Sequence, residues 1–169
     1  MSPNPKFHPM LRYGLLLAAA WFALDHTTKW LIREKIMNPP RQIPVTGFFN
    51  VVLGYNTGVS FGMLSGLGLP PWALSLAAIA VATALILWLG RTQSGLVASA
   101  LGLLIGGALS NGLDRLRNGA VTDFLDFHVA GWHWPAFNVA DVGVVCGVVL
   151  LMLDSFLGHG VSARASRSF

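Results

Sequence analysis

Apolar residues gather along this chain in four long blocks. They cover residues 11–32, 72–89, 96–113 and 139–157. Each is close to the roughly 20 residues that carry a helix across a hydrocarbon core. The second and third blocks contain no charged residue, and Asp154 stands near the end of the fourth. The first ends on Asp25 and Lys29, one helical turn apart. Residues 13–24, with Ala18-Ala19-Ala20, have the composition of a signal peptide, but three further blocks follow, so the segment reads as a retained first transmembrane helix. Four spans put both termini on one side. Residues 33–71 and 114–138 form long connections on the opposite side, and residues 90–95 form a short one on the side of the termini. Functional groups are commonly carried on long connections held by a rigid scaffold. Residues 48–53, Phe-Phe-Asn-Val-Val-Leu between Gly47 and Gly54, have strand character, so a small sheet on the membrane surface is expected. Residues 65–71 read as a flexible turn, with Gly66 and Gly68 suited to gating a site. Gly102-Leu103-Leu104-Ile105-Gly106-Gly107 reads as a close helix-packing face. The pattern holds no internal repeat, and the whole chain, 1–169, reads as one membrane domain.

Composition sharpens this picture. The chain is 54% hydrophobic and 11% charged, whereas soluble domains carry roughly 25% charged residues. The net charge of +4 comes from eleven Lys and Arg scattered between apolar blocks, with no basic stripe, which excludes a nucleic-acid partner. Orientation does not follow from these cations. Lys6, Arg12, Arg91, Arg164 and Arg167 lie on the side of the termini, against Lys29, Arg33, Lys35, Arg41, Arg115 and Arg117 on the other. Cys146 is the sole cysteine, so it forms no internal disulfide, and it reads as a small buried hydrophobe.

Candidate chemistry lies in the acids at the ends of the apolar blocks. An ionisable group beside hydrocarbon is costly and points to function by default. Asp25 and Lys29 share a helix face at i, i+4 and read as a structural ion pair. Asp114 and Arg115 are adjacent, so each needs another partner and would anchor the loop that follows. Asn56-Thr57-Gly58-Val59-Ser60-Phe61-Gly62 offers an amide and two glycines, either for an ordinary turn or for close approach to an extended peptide. Asp123 and Asp126 are spaced i, i+3, so only one need face the bundle, and Asp141 falls in the first turn of the fourth span with Asn138 as its N-cap. Two carboxylates meeting at a membrane boundary cannot both ionise cheaply, which suits acid–base hydrolysis through a shared water. The same residues read equally as ordinary interfacial charges. His128 and His133 flank Trp132 and Trp134, and no metal-ligand spacing accompanies them, so interfacial anchoring is the reading and no metal is expected.

Taken in order, five motifs resemble the lipoprotein signal peptidases, or signal peptidase II, of bacteria. They are Asp25-His26-Thr27-Thr28-Lys29, Asn56-Thr57-Gly58-Val59-Ser60-Phe61, Asn111-Gly112-Leu113-Asp114-Arg115, the stretch from Gly119 through Asp123 and Asp126 to Phe127, and Phe137-Asn138-Val139-Ala140-Asp141. The resemblance spans roughly residues 20–145. It implies an all-α membrane protein of four transmembrane helices, with a small extracytoplasmic β-sheet and a short periplasmic helix after the third span. It implies an aspartic endopeptidase without cofactor that removes the signal peptide of prolipoproteins before the diacylglyceryl-modified cysteine. Asp123 and Asp141 match the catalytic pair. Asn56, Gly58, Asn111, Asp114, Arg115, Asn138 and Ala140 match positions that bind substrate or support the site, and Asp25 and Lys29 match a structural polar pair. The implied partners are the lipid-modified precursor, membrane lipid and a lipopeptide inhibitor such as globomycin, acting on a monomer. The implied location is the bacterial inner membrane, with the active site near the periplasmic face and both termini cytoplasmic. Ser110, Gly112, His26 and Tyr55 depart from the family's usual residues, and none is one of the aspartates. A proton-coupled transporter using the same carboxylates is the alternative, as is a structural scaffold without chemistry. The uncharged second and third spans and the lack of inverted repeats count against the transporter.

Overall fold

The computed structural model describes residues 9–58 and 70–165, with side chains described as far as residue 157. The expected gating segment with Gly66 and Gly68, and residues 59–62 of the Asn56 motif, lie outside the described residues. In chain order the elements are α1 (Pro9–Leu31), which runs into a π turn (Ile32–Ile36), β1 (Ile43–Thr46), β2 (Phe49–Asn56), α2 (Pro71–Leu89), α3 (Gly95–Asn118), β3 (Val121–Val129), β4 (Trp132–His133) and α4 (Val139–Ala165). The fold is mostly helical. Three stretches, Pro71–Leu89, Gly95–Asn118 and Val139–Leu157, are long and apolar enough to cross a membrane. α1 has 23 residues but carries Arg12, Asp25 and Lys29.

α3 occupies the centre and packs against α1, α2 and α4. Of its apolar window 56% is buried, against 17% for α2 and α4, whose outer faces are left to the surroundings. Small residues permit this central position, as the glycine-rich face of α3 leads one to expect. A Cβ on Gly106 would stand 2.6 Å from the Ala18 carbonyl of α1, and one on Gly107 would stand 2.6 Å from the Ala140 carbonyl of α4. Backbones at such range gain dispersion contact that larger side chains would forbid. Leu89, Ala98, Leu101 and Ile105 fill the interface away from the charged residues.

Helix ends follow local chemistry. Pro71 sits in the first turn of α2, where its missing N–H costs nothing. Ser94 caps α3 by accepting the Val97 N–H at 3.2 Å. At the other end Gly119 adopts φ 74° and donates its N–H to the Arg115 carbonyl, a left-handed stop that a side chain would resist. α3 therefore continues a turn and more beyond residue 113, the end expected from hydropathy, and Asp114 and Arg115 belong to the helix itself.

The four strands form one antiparallel sheet in the order β1-β2-β3-β4. β2 begins within the expected strand and runs on to Asn56. Residues 119–138 do not form the short helix expected after the third span. Val121–Val129 is a strand paired to β2, with Gly54 opposite Asp123 and Asn50 opposite Asp126. β-branched and aromatic side chains and the edge offered by β2 favour extension there. Ala130 and Gly131, both at positive φ, turn the chain tightly into β4. Cys146 is also corrected: it is exposed, on the outward side of α4, and not buried in the bundle.

Candidate active site

Asp25 and Lys29 form the ion pair their spacing predicts, at 2.7 Å and almost without exposure. The pair is part of a larger network. Lys29 also contacts Asp114 at 3.0 Å and donates to Asn111 Oδ1 at 2.9 Å. An ammonium has three protons, and these three acceptors match them. Asp25 is equally engaged: Oδ2 accepts from Ser110 Oγ at 2.6 Å, and Oδ1 accepts from the Ala140 N–H at 2.8 Å. Asp114 accepts the Thr122 N–H at 3.2 Å, which fixes the start of β3 to the end of α3. Breaking a buried pair of this kind by removing one partner costs about 3–5 kcal/mol.

α4 begins with a reciprocal cap. Asn138 Oδ1 accepts the Asp141 N–H at 3.0 Å, and Asp141 Oδ2 accepts the Asn138 N–H at 3.1 Å. This is the capping-box arrangement with Asp at the third helical position, and the positive end of the helix favours its charge. The next amide of α4, that of Ala140, goes to Asp25. Ala140 is thus a backbone support, with its carbonyl against Gly107. Trp21 Nε1 donates to the Val139 carbonyl at 3.1 Å and ties the same turn to α1.

Asp123 reaches this point from β3. Asp123 and Asp126 lie an odd number of residues apart on a strand, so they point to opposite faces. Asp126 pairs with Asn50 Nδ2 at 2.8 Å and His133 Nδ1 at 2.8 Å. Burial alone would raise the Asp126 carboxyl, but these hydrogen bonds and the nearby His133 and His128 hold it below its ordinary value. Asp123 faces the bundle and accepts from Asn138 Nδ2 at 2.7 Å. Asn138 therefore bonds both aspartates, and Asn111 Nδ2 donates to Asp141 Oδ1 at 2.9 Å. Burial, and then the neighbouring Asp141, push the Asp123 carboxyl up from 3.8 to about 6, against hydrogen bonds from Asn138 and Asn56.

Asp123 and Asp141 both line one cavity of about 270 Å³. Asn56, Asn111 and Arg115 contribute its polar wall, and Leu74, Ala78 and Val81 of α2 contribute an apolar wall. Arg115 Nη2 donates to the Gly58 carbonyl at 2.6 Å and Nη1 to the Asn111 carbonyl at 3.2 Å, while Nε has no partner among the described residues. The Gly58 N–H donates to Asn56 Oδ1 at 2.9 Å, so the turn is folded around the arginine. Both carboxylates thus open onto the same space, where one water could contact each. Among the described residues no group of three or more His, Cys, Asp or Glu could hold a metal ion.

The candidate residues thus converge, with Asp25, Lys29, Asp114 and Ala140 behind the cavity wall and the others on or beside it. Ser110, Thr122 and Trp21 were not singled out as supports from sequence. Trp21 lies four residues before Asp25, on the same helix face, and that spacing was the available signal. The apolar wall from α2 left no signal, since a uniformly apolar helix does not declare which side faces a ligand.

Comparison with known proteins places the chain in a family. Residues 17–157 match the family described as "Signal peptidase (SPase) II". The chain is 46% identical over 154 residues to a lipoprotein signal peptidase of Rhodopseudomonas palustris, covering 88% of this chain and 94% of that protein. It is 47% identical over 142 residues to a lipoprotein signal peptidase of Ralstonia nicotianae, covering 82% and 80% of the two. A solved structure described as a bacterial membrane enzyme superposes with a TM-score of 0.74 at 28% identity, covering 86% of this chain and 88% of that one. With a family match across most of its length, relatives close in sequence and a matching fold, the chain belongs to the signal peptidase II family of membrane aspartic peptidases.

Proposed function

We propose that this chain is a multi-pass peptidase of the bacterial inner membrane that cuts prolipoproteins just before their diacylglyceryl-modified cysteine, with Asp123 and Asp141 as the catalytic pair. The observation that carries the assignment is the shared cavity: two carboxylates from different elements line it, and one amide, Asn138, bonds both. The relatives are lipoprotein signal peptidases, and none supports a transporter.

α1 is the fourth span in this reading. Its 23 residues extend about 35 Å, and its costliest charges, Asp25 and Lys29, neutralise each other inside the bundle. Both termini then share one side and the sheet and the aspartates the other; the resemblance makes these the cytoplasmic and periplasmic faces. A diacylglyceryl group stays in lipid, so the bond next to the modified cysteine is held at the depth of the membrane boundary. The apolar wall of α2 suits the lipid-embedded substrate, and the Asn56 turn and Arg115 suit its peptide backbone. One member of the pair is charged and removes a proton from the bound water as that water attacks the scissile carbonyl. The other is protonated and donates to the carbonyl oxygen. No metal or cofactor takes part, and the enzyme acts as a monomer open to lipopeptides such as globomycin.

The test is cleavage of a lipid-modified precursor by native protein beside Asp123→Asn and Asp141→Asn, with each variant checked for insertion and folding. Cleavage by the native protein alone is expected. Near-native turnover by either folded variant would refute the pair.

A further inference from the structure

Lys29 lies behind the cavity and does not line it, yet it bonds directly to a residue that does. The Asn111 amide has only one orientation compatible with its neighbours. Its oxygen meets two donors, Lys29 Nζ at 2.9 Å and Asn138 Nδ2 at 3.3 Å, and its nitrogen meets Asp141 Oδ1 at 2.9 Å. A flipped amide would set donor against donor and oxygen against carboxylate. The ammonium can neither accept nor move away, because its other two protons are taken by Asp25 and Asp114.

The two aspartates are placed differently with respect to this device. Both oxygens of Asp141 accept hydrogens, one from Asn111 and one from the Asn138 backbone. Asp141 also stands in the first turn of α4, where the helix end favours a negative charge. Asp123 accepts side-chain amides from Asn138 and Asn56, but lies on a strand with no helix end and, among the described residues, no backbone amide directed to it. The charged groups packed around the pair from other elements, among the described residues, are Asp25 and Lys29 of α1 and Asp114 and Arg115 of α3. Two cations against two carboxylates balance, so the pair carries the uncompensated charge and one proton between its members relieves it.

We propose that Lys29 is a positioning residue that locks the Asn111 amide toward Asp141, making Asp141 the ionised base and leaving the proton on Asp123. The proposal rests on the reading of Asp123 and Asp141 as the catalytic pair. The water's proton goes to Asp141 as its oxygen bonds to the scissile carbonyl carbon, and the Asp123 proton goes to the carbonyl oxygen. The attack thus leaves a neutral tetrahedral intermediate, with the dyad's proton moved from Asp123 to Asp141.

The experiment is the pH profile of kcat on a lipid-modified precursor for the native enzyme, Lys29→Met, Lys29→Arg and Asn111→Ala. The acidic limb of kcat reports the base in the enzyme–substrate complex. Losing a donor to the ionised carboxylate should move that limb to higher pH by about one unit in Lys29→Met and Asn111→Ala. On the acidic side of the optimum kcat should fall about tenfold, with KM little changed. Lys29→Arg should recover part of the loss. In Asn111→Ala background, adding Lys29→Met should shift the limb by less than it does in the native enzyme, since part of the Lys29 effect passes through the amide. Asn111→Ala keeps the buried ion pairs and carries the same prediction if Lys29→Met does not fold. An acidic limb unmoved in a folded Asn111→Ala variant, or a loss of kcat uniform across pH, would overturn the proposal while leaving the catalytic pair intact. Failure of the native enzyme to cleave would overturn both.

Discussion

Replacing Asp123 by Asn should make the protein more stable while it removes activity. The carboxyl is 4% exposed and sits beside Asp141. Its rise from 3.8 to about 6 means that the folded protein disfavours the charged form by about 3 kcal/mol at most. The sign follows from proton binding. Between 3.8 and about 6 the folded state holds the Asp123 proton and the unfolded state does not, so native stability falls as pH rises through that window. Above it the full cost is present, and below it the cost is absent. Asn has the shape of the protonated acid, keeps an oxygen for Asn138 Nδ2 and never ionises. The assay is thermal unfolding in detergent, followed by tryptophan fluorescence, at about pH 8 and about pH 3.5. At the higher pH the variant should melt about 5 °C or more above the native enzyme, and at the lower pH the two should coincide. A variant no more stable than native at the higher pH, or a gain equal at both, would refute the electrostatic reasoning even if cleavage were lost.

Gly107→Ala should push α4 from α3, because the new methyl would stand 2.6 Å from the Ala140 carbonyl and 2.9 Å from Val144 Cγ2. A loss of about 1–3 kcal/mol by thermal unfolding, with a larger fall in kcat than Gly95→Ala, is expected. Asn138→Ala removes the cap of α4 and the donor to Asp123, so it should cost about 1 kcal/mol of stability and lower kcat at every pH. The alkaline limb of kcat/KM should fall near pH 6, where free-enzyme Asp123 loses its proton. Treatment with a strong chelator should leave cleavage unchanged, and loss of activity restored by added metal would contradict a purely carboxylate mechanism.

The four apolar blocks were legible as long apolar runs, and each overlaps its helix closely, three of these helices being long and apolar enough to cross a membrane. The end of α3 was not. Asp114, Arg115 and Arg117 look like the start of a loop, yet Asp114 and Arg115 point into the bundle and stay helical because Lys29, Thr122 and Gly58 satisfy them. Those partners are distant in sequence, so no local pattern announces them. β3 was equally hidden. Asp123 and Asp126 fit one face of a helix at i, i+3, and only pairing with β2 decides for a strand. The Asn138–Asp141 spacing, in contrast, declared its cap directly, since capping is a local interaction. Cys146 shows a further limit: in a helix apolar on all sides, hydropathy does not distinguish lipid from protein neighbours.

The most direct test of the proposed activity uses one purified precursor, with and without its diacylglyceryl group, incubated with the native enzyme in lipid. Mass spectrometry of the products should show the lipid-bearing cysteine as the new first residue, and the unmodified precursor should remain whole. Equal cleavage of both precursors, or a cut at any other bond, would contradict the account.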